Sequence, residues 1–277
     1  MPELPEVETV VSILKKNVIG KIIKNISILY PNLIKTDILV DEFKNTLINK
    51  TILDITRIGK YIIFDLGDYV LISHLRMEGK WFYINDLSLV SEKHIEAIFS
   101  LDNGYYLIYD DTRKFGTFNL ELKDEYKKIN PIVKIGPEPF NEAVNGIYLF
   151  ELMSKSNKYI KTILLDQTKI SGIGNIYADE ILFDAKIHPE SKTNKLSLNA
   201  YNNIYESSKK ILRRAIELGG STISTYKAGH GISGKFQNEL KVHLRKNEPC
   251  FVCKTNIIKI KVNGRGTYIC SNCQILY

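Results

Sequence analysis

All four cysteines of this 277-residue chain lie near its C-terminus, in two pairs that share one spacing. Cys250 and Cys253 form the first pair, and Cys270 and Cys273 form the second after sixteen intervening residues. Two Cys-x-x-Cys pairs at this separation are typical of a four-cysteine zinc ribbon, in which a hairpin brings two tight turns together around the metal. We therefore predict one structural Zn²⁺ per chain on these four ligands, and no organic cofactor. Because all four positions around the metal are filled by thiolates, the site is structural rather than catalytic.

Two disulfides are the alternative use of the four cysteines. The N-terminus lacks the apolar segment of a signal peptide, and no apolar run approaches the length of a membrane span. Both observations favour an intracellular protein, in which thiols stay reduced. The sequence therefore favours zinc over disulfides, and it predicts no membrane partner.

Basic residues outnumber acidic residues by 38 to 31, which gives a formal net charge of +7 and an isoelectric point near 9.0. Such an excess favours a polyanionic partner, first nucleic acid and then an anionic membrane surface. Between the cysteine pairs, Arg265 is flanked by Gly264 and Gly266. Glycines let the backbone approach a ligand closely, so we expect the finger to present Arg265 to a phosphate backbone.

The hydrophobic pattern divides the rest of the chain into a helix, a set of strands and a helical region. Helical spacing is found over residues 7–18, 146–154, 158–166, 175–185 and 198–218. Strands are predicted at 22–29, 51–58, 61–66, 69–75, 81–84, 95–101 and 105–109. Asn103 and Gly104 give a strong hairpin signal between the last two strands. Many short strands at regular spacing favour a sandwich or a barrel, and segment 131–139 has the composition of a linker.

The N-terminus begins Met1-Pro2-Glu3, which can be processed to a terminal proline. An α-amino group titrates near about 7.7–8.0, so a useful fraction is unprotonated at neutral pH. An unprotonated amine can attack a sugar or carbonyl carbon and form a Schiff base. The alternative is an inert terminus, since most chain ends are frayed and have no chemical role.

A glycine-containing loop at residues 171–175 joins two of the predicted helices. Its glycines and the amides of the following helix can bind a phosphate. A helix C-cap followed by a turn and an N-cap at Asn175 explains the same residues. The loop alone leaves both interpretations open.

Five segments taken together resemble one protein family. In chain order they are Pro-Glu-Leu-Pro-Glu-Val-Glu (2–8), His-Leu-Arg-Met-Glu-Gly (74–79), Asp-Thr-Arg-Lys-Phe-Gly (111–116), Gly-Ile-Gly-Asn-Ile-Tyr-Ala (172–178) and Gly-Arg-Gly-Thr (264–267). This order over the full length closely resembles formamidopyrimidine-DNA glycosylase, a bacterial enzyme that repairs oxidised purines. Leu4 favours this branch over the sister endonuclease VIII, in which glycine is typical at that position.

The resemblance implies an α+β multidomain fold. Its parts are an N-terminal β-sandwich with an N-terminal helix over 1–134, a helix–two-turn–helix domain over 135–231 and a zinc-finger hairpin over 232–277. It also implies a monomer that binds double-stranded DNA containing an oxidised base in a cleft between two lobes. The expected location is the bacterial cytoplasm, in association with the nucleoid. The implied activity is excision of 8-oxoguanine and formamidopyrimidines, followed by cleavage of the strand at the abasic site.

Residue roles follow from the same resemblance. Pro2 would attack the sugar C1′, Glu3 would protonate the opening sugar, and Lys60 and Arg265 match residues with proton-transfer and phosphate roles. Met77, Arg113 and Phe115 would fill the space left by the flipped nucleotide, with Arg113 facing the orphaned cytosine. Four residues match positions that hold the DNA backbone: His74, His94, Lys158 and Asn175. Three residues are expected to contribute to recognition of the lesion: Glu78, Ser221 and Thr222. From the residues alone, Met77 and Phe115 are better explained as core residues, and Lys60 as an exposed strand lysine.

The chain departs from the family pattern after its long helix. The usual Thr-Thr-hydrophobic-Arg is Ser221-Thr222-Ile223-Ser224 here, so the arginine is absent. The usual Val-Tyr-Gly-Arg before the finger is Val-His-Leu-Arg, with His243 at the tyrosine position. We therefore expect these departures to alter which lesions are recognised, whereas the proposed nucleophile, Pro2, matches the family pattern. Two alternatives are an endonuclease VIII-type glycosylase for oxidised pyrimidines and a zinc-ribbon protein that binds nucleic acid without catalysis.

Overall fold

A computed structural model describes residues 1–221 and 234–277 of the chain. Contacts between Cα atoms divide the chain into two compact units. Unit 1 consists of residues 1–133 and 221–234, and unit 2 consists of residues 134–220 and 235–277. Among the described residues, no helix is both long and apolar enough to cross a membrane.

Unit 1 is a β-sandwich preceded by a helix. The helices are α1 (Leu4–Val18) and α2 (Val40–Leu47), and the strands are β1 (Ile23–Ile28), β2 (Asp54–Ile58), β3 (Tyr61–Asp65), β4 (Tyr69–His74), β5 (Lys80–Ile84), β6 (Ile95–Leu101), β7 (Tyr106–Asp110) and β8 (Thr117–Leu122). One antiparallel sheet has the order β1-β6-β7-β5 and the other has the order β2-β3-β4-β8. Apolar residues of α1 and of both sheets form one buried cluster. The predicted sandwich and the hairpin at residues 103–104 are confirmed.

An aromatic cluster holds the two sheets together. Trp81 of β5 stacks on Phe118 of β8 with ring centroids 5.2 Å apart, and it meets Phe64 of β3 edge-on. The indole N–H of Trp81 donates to the hydroxyl of Ser73 at 3.1 Å. Interdigitated rings with a satisfied indole donor are a stable way to join two sheet faces. The tryptophan thereby fixes β4, which ends at His74, against β5 and β8.

Unit 2 is mainly helical and carries a two-stranded hairpin at its C-terminal end. Its elements are α3 (Gly146–Met153), α4 (Ile160–Leu164), α5 (Asn175–Asp184), α6 (Leu198–Glu217), β9 (Ile258–Val262) and β10 (Arg265–Ile269). Residues 177–183 of α5 are all buried, so this helix lies at the centre of the unit. It contacts α4, α6 and β10.

One buried acid of α5 anchors the segment that leads into the finger. The carboxylate of Glu180 accepts the backbone N–H groups of Lys241, Val242 and His243 at 2.8–3.0 Å. Burial raises the pKa of Glu180, whereas these three hydrogen bonds act in the opposite direction. A buried carboxylate with three amide donors is well satisfied, so the finger and the helices share one framework.

Candidate active site

The start of α1 is held by hydrogen bonds. The backbone N–H of Glu3 donates to Oε2 of Glu6 at 2.9 Å, and Oε1 of Glu6 accepts the backbone N–H of Ser221 at 2.7 Å. Glu3 and Glu6 are 2% and 5% exposed, and Pro2 is buried. A capped, buried first turn does not fray as most termini do. The structure therefore excludes a frayed terminus at Pro2.

Charged side chains of unit 1 act on the terminal amine, which belongs to Met1 in the unprocessed chain. Burial lowers the pKa of this amine below its usual value of 8.0, whereas the carboxylates of Glu3 and Glu6 raise it. Lys60 lowers the pKa and Glu78 raises it. Charges influence one another only over short distances in water, so the structure brings Glu3, Lys60 and Glu78 together around the terminus.

Lys60 lies in the turn between β2 and β3 and is 4% exposed. Gly59 before it has a φ of +59°, a conformation that glycine adopts without strain. Lysines are almost never fully buried unless they are paired or have a function. The interpretation of Lys60 as an exposed strand lysine is therefore wrong.

His74 ends β4 as a buried, neutral imidazole. Its Nδ1 accepts the backbone N–H of Arg76 at 2.9 Å, and its ring meets Tyr61 edge-on at 4.5 Å. Burial, together with the positive charges of Arg76 and Lys60, lowers the pKa of His74 to about 3. Because Nδ1 is an acceptor, the ring proton lies on Nε2, which can donate to a phosphate oxygen.

Asp111 organises the loop that carries Arg113 and Phe115. Its Oδ1 accepts the N–H of Arg113 at 2.9 Å, and its Oδ2 accepts the N–H groups of Phe115 and Gly116 at 3.0 and 2.8 Å. Its own N–H donates to the carbonyl of His94 at 2.9 Å, which links this half-buried histidine to the loop. One buried carboxylate thus fixes the backbone of the loop. Asp111 belongs to the segment 111–116 that resembles the family, but no role was predicted for it, although an aspartate at the start of a short loop is a known signal for such turns.

The hydroxyl group of Tyr109 packs against two of the segments that resemble the family, residues 74–79 and 111–116. A Cβ added to Gly79 or to Gly116 would overlap with its Oη. The segments ending at these glycines also share a hydrogen bond of 2.5 Å from Thr112 to Glu78. Close packing of this kind leaves no space for a side chain at either glycine. The two segments are therefore held side by side.

The three residues expected at the flipped nucleotide are Met77, Arg113 and Phe115, and they lie on these two segments. Met77 and Phe115 are 37% and 52% exposed, which excludes the alternative that they are core residues. The guanidinium carbon of Arg113 lies 4.8 Å from the ring centroid of Phe115. Exposed apolar side chains beside an arginine are suited to replace stacked bases.

In unit 2, the loop before α5 is tied down by Gln167. Its Oε1 accepts the N–H of Gly172 at 2.9 Å, and its Nε2 donates to the carbonyl of Ile173 at 2.8 Å. The N-cap residue of α5 is Gly174, so the interpretation of Asn175 as the N-cap is wrong. Asn175 instead donates from Nδ2 to the carbonyl of Gly266 in the finger at 3.0 Å.

The remaining predicted residues lie as follows. Lys158 precedes α4 and Arg265 begins β10, and both are exposed. Ser221 is 5% exposed and contacts Glu6 through its backbone. Thr222 and Ser224 lie outside the residues that the structure describes.

Models of three known domains match the chain in order. The formamidopyrimidine-DNA glycosylase N-terminal domain matches residues 1–118, the H2TH domain of the same enzyme matches 135–227, and the zinc finger found in FPG and IleRS matches 247–275. The chain belongs to the formamidopyrimidine-DNA glycosylase family.

Individual members of the formamidopyrimidine-DNA glycosylase family match over the whole length. The enzyme of that name from Oceanobacillus iheyensis is 44% identical over 274 residues, covering 99% of this chain and 98% of the relative. Two Lactococcus lactis structures each cover 99% of both chains. A variant FPG bound to Fapy-dG-containing DNA has a TM-score of 0.92 at 46% identity, and the Fpg bound to DNA with an abasic site has a TM-score of 0.91 at 44% identity.

These matches confirm the predicted family, fold class and enzyme class. The chain is a formamidopyrimidine-DNA glycosylase-type enzyme of base-excision repair with glycosylase and lyase activity. They do not favour the endonuclease VIII-type enzyme or the non-catalytic zinc ribbon.

The four cysteines of this family member form one cluster. Their Sγ atoms lie within 4.8 Å of one another, with Cys253 and Cys270 at 3.3 Å and Cys250 and Cys273 at 3.9 Å. Tetrahedral zinc with Zn–S bonds of about 2.3 Å requires sulfurs roughly 3.8 Å apart. All four cysteines are free thiols, so the disulfide alternative is wrong. The set fits one structural Zn²⁺, as predicted.

Proposed function

We propose that this enzyme removes oxidised purines, such as 8-oxoguanine and formamidopyrimidines, from double-stranded DNA, with the amine of Pro2 as the nucleophile. The observation that carries this proposal is the environment of the terminal amine, which belongs to Met1 before processing: partial burial lowers its pKa, and the charges of Glu3, Lys60 and Glu78 act on it. A lowered pKa increases the fraction of the amine that is unprotonated at neutral pH, and the unprotonated form is the nucleophile.

Removal of Met1 converts Pro2 into a free secondary amine. Its nitrogen attacks C1′ of the damaged nucleotide, and the bond from C1′ to the base breaks as the base takes up the electron pair and a proton. Glu3 supplies a proton to the ring oxygen as the sugar opens, which leaves an iminium between Pro2 and C1′. Glu6 orients this terminus through its two hydrogen bonds and does not react.

Strand cleavage follows from the iminium. It acidifies the C2′ proton, so β-elimination expels the 3′ phosphate. A second elimination then expels the 5′ phosphate, and hydrolysis releases the sugar remnant and restores the amine. Lys60 takes part in proton transfer, and Arg265 binds the phosphate that leaves. A lysine amine can accept and donate a proton, whereas an arginine stays charged.

The damaged nucleotide must leave the stack before it can react. Met77 and Phe115 replace the lost stacking, and Arg113 donates to the base acceptors of the orphaned cytosine. The contacts of Asp111 and Tyr109 support this role, because they fix the two segments that carry the three side chains. Three residues contribute to recognition of the lesion: Glu78, Ser221 and Thr222. Because Ser224 replaces the arginine that the family pattern has at this position, the range of lesions is the property that the resemblance to the family predicts least.

Four residues bind the DNA backbone. His74 donates from Nε2, and His94, Lys158 and Asn175 bind neighbouring phosphates. Such contacts position the enzyme without selecting a sequence. We further propose a monomer with domains 1–134, 135–231 and 232–277 that works on chromosomal DNA in the bacterial cytoplasm.

A duplex with one 8-oxoguanine opposite cytosine tests the proposal. The wild-type enzyme should cut on both sides of the lesion and should become covalently attached to DNA in the presence of borohydride. Glu3→Gln should slow base release by at least about 100-fold, since general acid catalysis contributes roughly that much. Glu8→Gln is the matched control, because Glu8 lies on the same helix and pairs with Arg57 at 2.8 Å. Wild-type activity without a trapped adduct, or equal loss in both variants, would contradict the mechanism.

A further inference from the structure

A buried ion pair in unit 2 connects two helices with the finger. Nζ of Lys161 in α4 lies 2.6 Å from Oδ1 of Asp179 in α5, and the two side chains are 1% and 0% exposed. The same Nζ donates to the hydroxyl of Thr267 in β10 at 2.8 Å. Burying two charges is unfavourable unless their geometry is tightly defined. This pair therefore points to a requirement for a fixed arrangement rather than for stability alone.

The second oxygen of Asp179 extends the contact across the finger. Oδ2 accepts the backbone N–H of Tyr268 at 3.2 Å and lies 2.7 Å from Nδ1 of His243. The rings of His243 and Tyr268 meet edge-on with centroids 5.0 Å apart. His243 stands where the family pattern has tyrosine, and the contact with Asp179 gives this difference a structural role.

The same hydrogen-bond network includes the backbone of Arg265. The hydroxyl of Thr267, which accepts from Lys161, donates to the carbonyl of Arg265 at 3.0 Å. The carbonyl of Gly266 accepts from Asn175 at 3.0 Å. The segment from Arg265 to Tyr268 is thus held by hydrogen bonds at each of its four residues.

The tip of the hairpin has an anchor of its own. Nδ2 of Asn263 donates to the hydroxyl of Thr162 in α4 at 2.8 Å, and Asn263 and Gly264 both have positive φ. An isolated two-stranded hairpin is only marginally stable in water. Docking on α4 and α5 therefore adds to the order that the zinc site gives the hairpin.

We propose that Lys161, Asp179, His243 and Thr267 are positioning residues for Arg265. They hold the backbone that carries its exposed guanidinium in a fixed relation to Asn175, so that both side chains meet the DNA phosphates without a further ordering step. The four residues act through Arg265 and do not contact DNA. The inference rests on the proposed role of Arg265 in the lyase reaction.

Thr267 offers the cleanest test, because valine keeps its shape and removes its hydroxyl, whereas serine keeps the hydroxyl. Cleavage of abasic DNA is measured under single-turnover conditions for both variants, in wild-type and Arg265→Ala backgrounds. Thr267→Val should slow cleavage by about 10-fold or more, since small displacements of a catalytic group have effects of this size. Thr267→Ser should remain near the wild-type rate. In the Arg265→Ala background, Thr267→Val should change the rate by less than about twofold, because coupled residues are not additive.

A residue that only stabilises the fold would slow cleavage equally in both backgrounds, and that result would overturn the inference. An unchanged rate for Thr267→Val in the wild-type background would also overturn it. Zinc content and thermal unfolding identify any variant that fails to fold. In that case His243→Phe, which keeps a ring against Tyr268, carries the same comparison. Absence of cleavage by the wild-type enzyme, or full activity of Arg265→Ala, would instead refute the proposed function.

Discussion

The substitution Glu6→Gln tests two effects of the Glu6 carboxylate: its hydrogen bonds to the backbone, and its influence on the pKa of the terminal amine. The wild-type carboxylate accepts from Glu3 at 2.9 Å and from Ser221 at 2.7 Å while only 5% exposed. Glutamine retains one acceptor oxygen, so one of the two N–H groups loses its partner. A hydrogen bond to a buried charged group contributes about 1.5–3 kcal/mol, and we expect the free energy of unfolding to fall by about that amount.

The same substitution should change the pH dependence of the reaction. The negative charge of Glu6 raises the pKa of the terminal amine, so its removal lowers that pKa further. A lower pKa leaves more amine unprotonated in acid. The acidic limb of the borohydride trapping rate should therefore move to lower pH, provided that the Pro2 amine occupies the same environment.

Two measurements check this prediction. One is the free energy of unfolding in guanidinium, and the other is the borohydride trapping rate between about pH 5 and 8, measured on the order of once per half pH unit. Glu8→Gln removes the same charge from the same helix, and its partly exposed pair with Arg57 should cost less than about 1 kcal/mol. Equal stability of the two variants would refute the hydrogen-bonding argument. A shift of the acidic limb of Glu6→Gln to higher pH would refute the electrostatic argument.

Three further predictions concern the rest of the site. The pKa of His74 is about 3 in the folded chain and 6.5 in the unfolded chain, so its contribution to stability is complete above about pH 6.5 and is lost as the pH falls. Between about pH 6.5 and 5, the free energy of unfolding of the wild type, measured in guanidinium, should therefore fall by about 2 kcal/mol more than that of His74→Gln. Gly116→Ala should destabilise unit 1 by about 1–3 kcal/mol and weaken binding to lesion-containing DNA in a gel-shift assay, because its Cβ would overlap with Oη of Tyr109. Cys270→Ser should lower the zinc content measured by atomic emission and abolish cleavage, because the finger carrying Arg265 depends on the metal for its fold.

Local signals in the sequence predict much of this fold. The Asn103-Gly104 turn and the spacing of the cysteines each act within a short segment, and the structure contains both features. Helix α2 was missed because its N-cap residue is Leu39, which gives no capping signal, and only Phe43 and Leu47 of the helix are buried. Helix α4 ends before the predicted Asp166, whose side chain accepts the N–H of Thr168 and closes a turn.

The supporting residues of the site could not be predicted, because their partners are distant in the chain. Lys161 bonds to residues 18 and 106 positions away. Glu6 bonds to Ser221 across 215 positions. Tyr109 acts through two glycines whose closeness to its hydroxyl exists only in the folded sandwich. A motif identifies a side chain that reacts, whereas the groups that orient it depend on tertiary packing.

The central claim is that the amine of Pro2 forms the covalent intermediate. The direct measurement is proteolysis and mass spectrometry of the borohydride-reduced adduct formed on the 8-oxoguanine duplex. The sugar remnant should map to the N-terminal peptide beginning at Pro2, and protein that retains Met1 should give no adduct. An adduct on Lys60, or on chains that still carry Met1, would contradict the account.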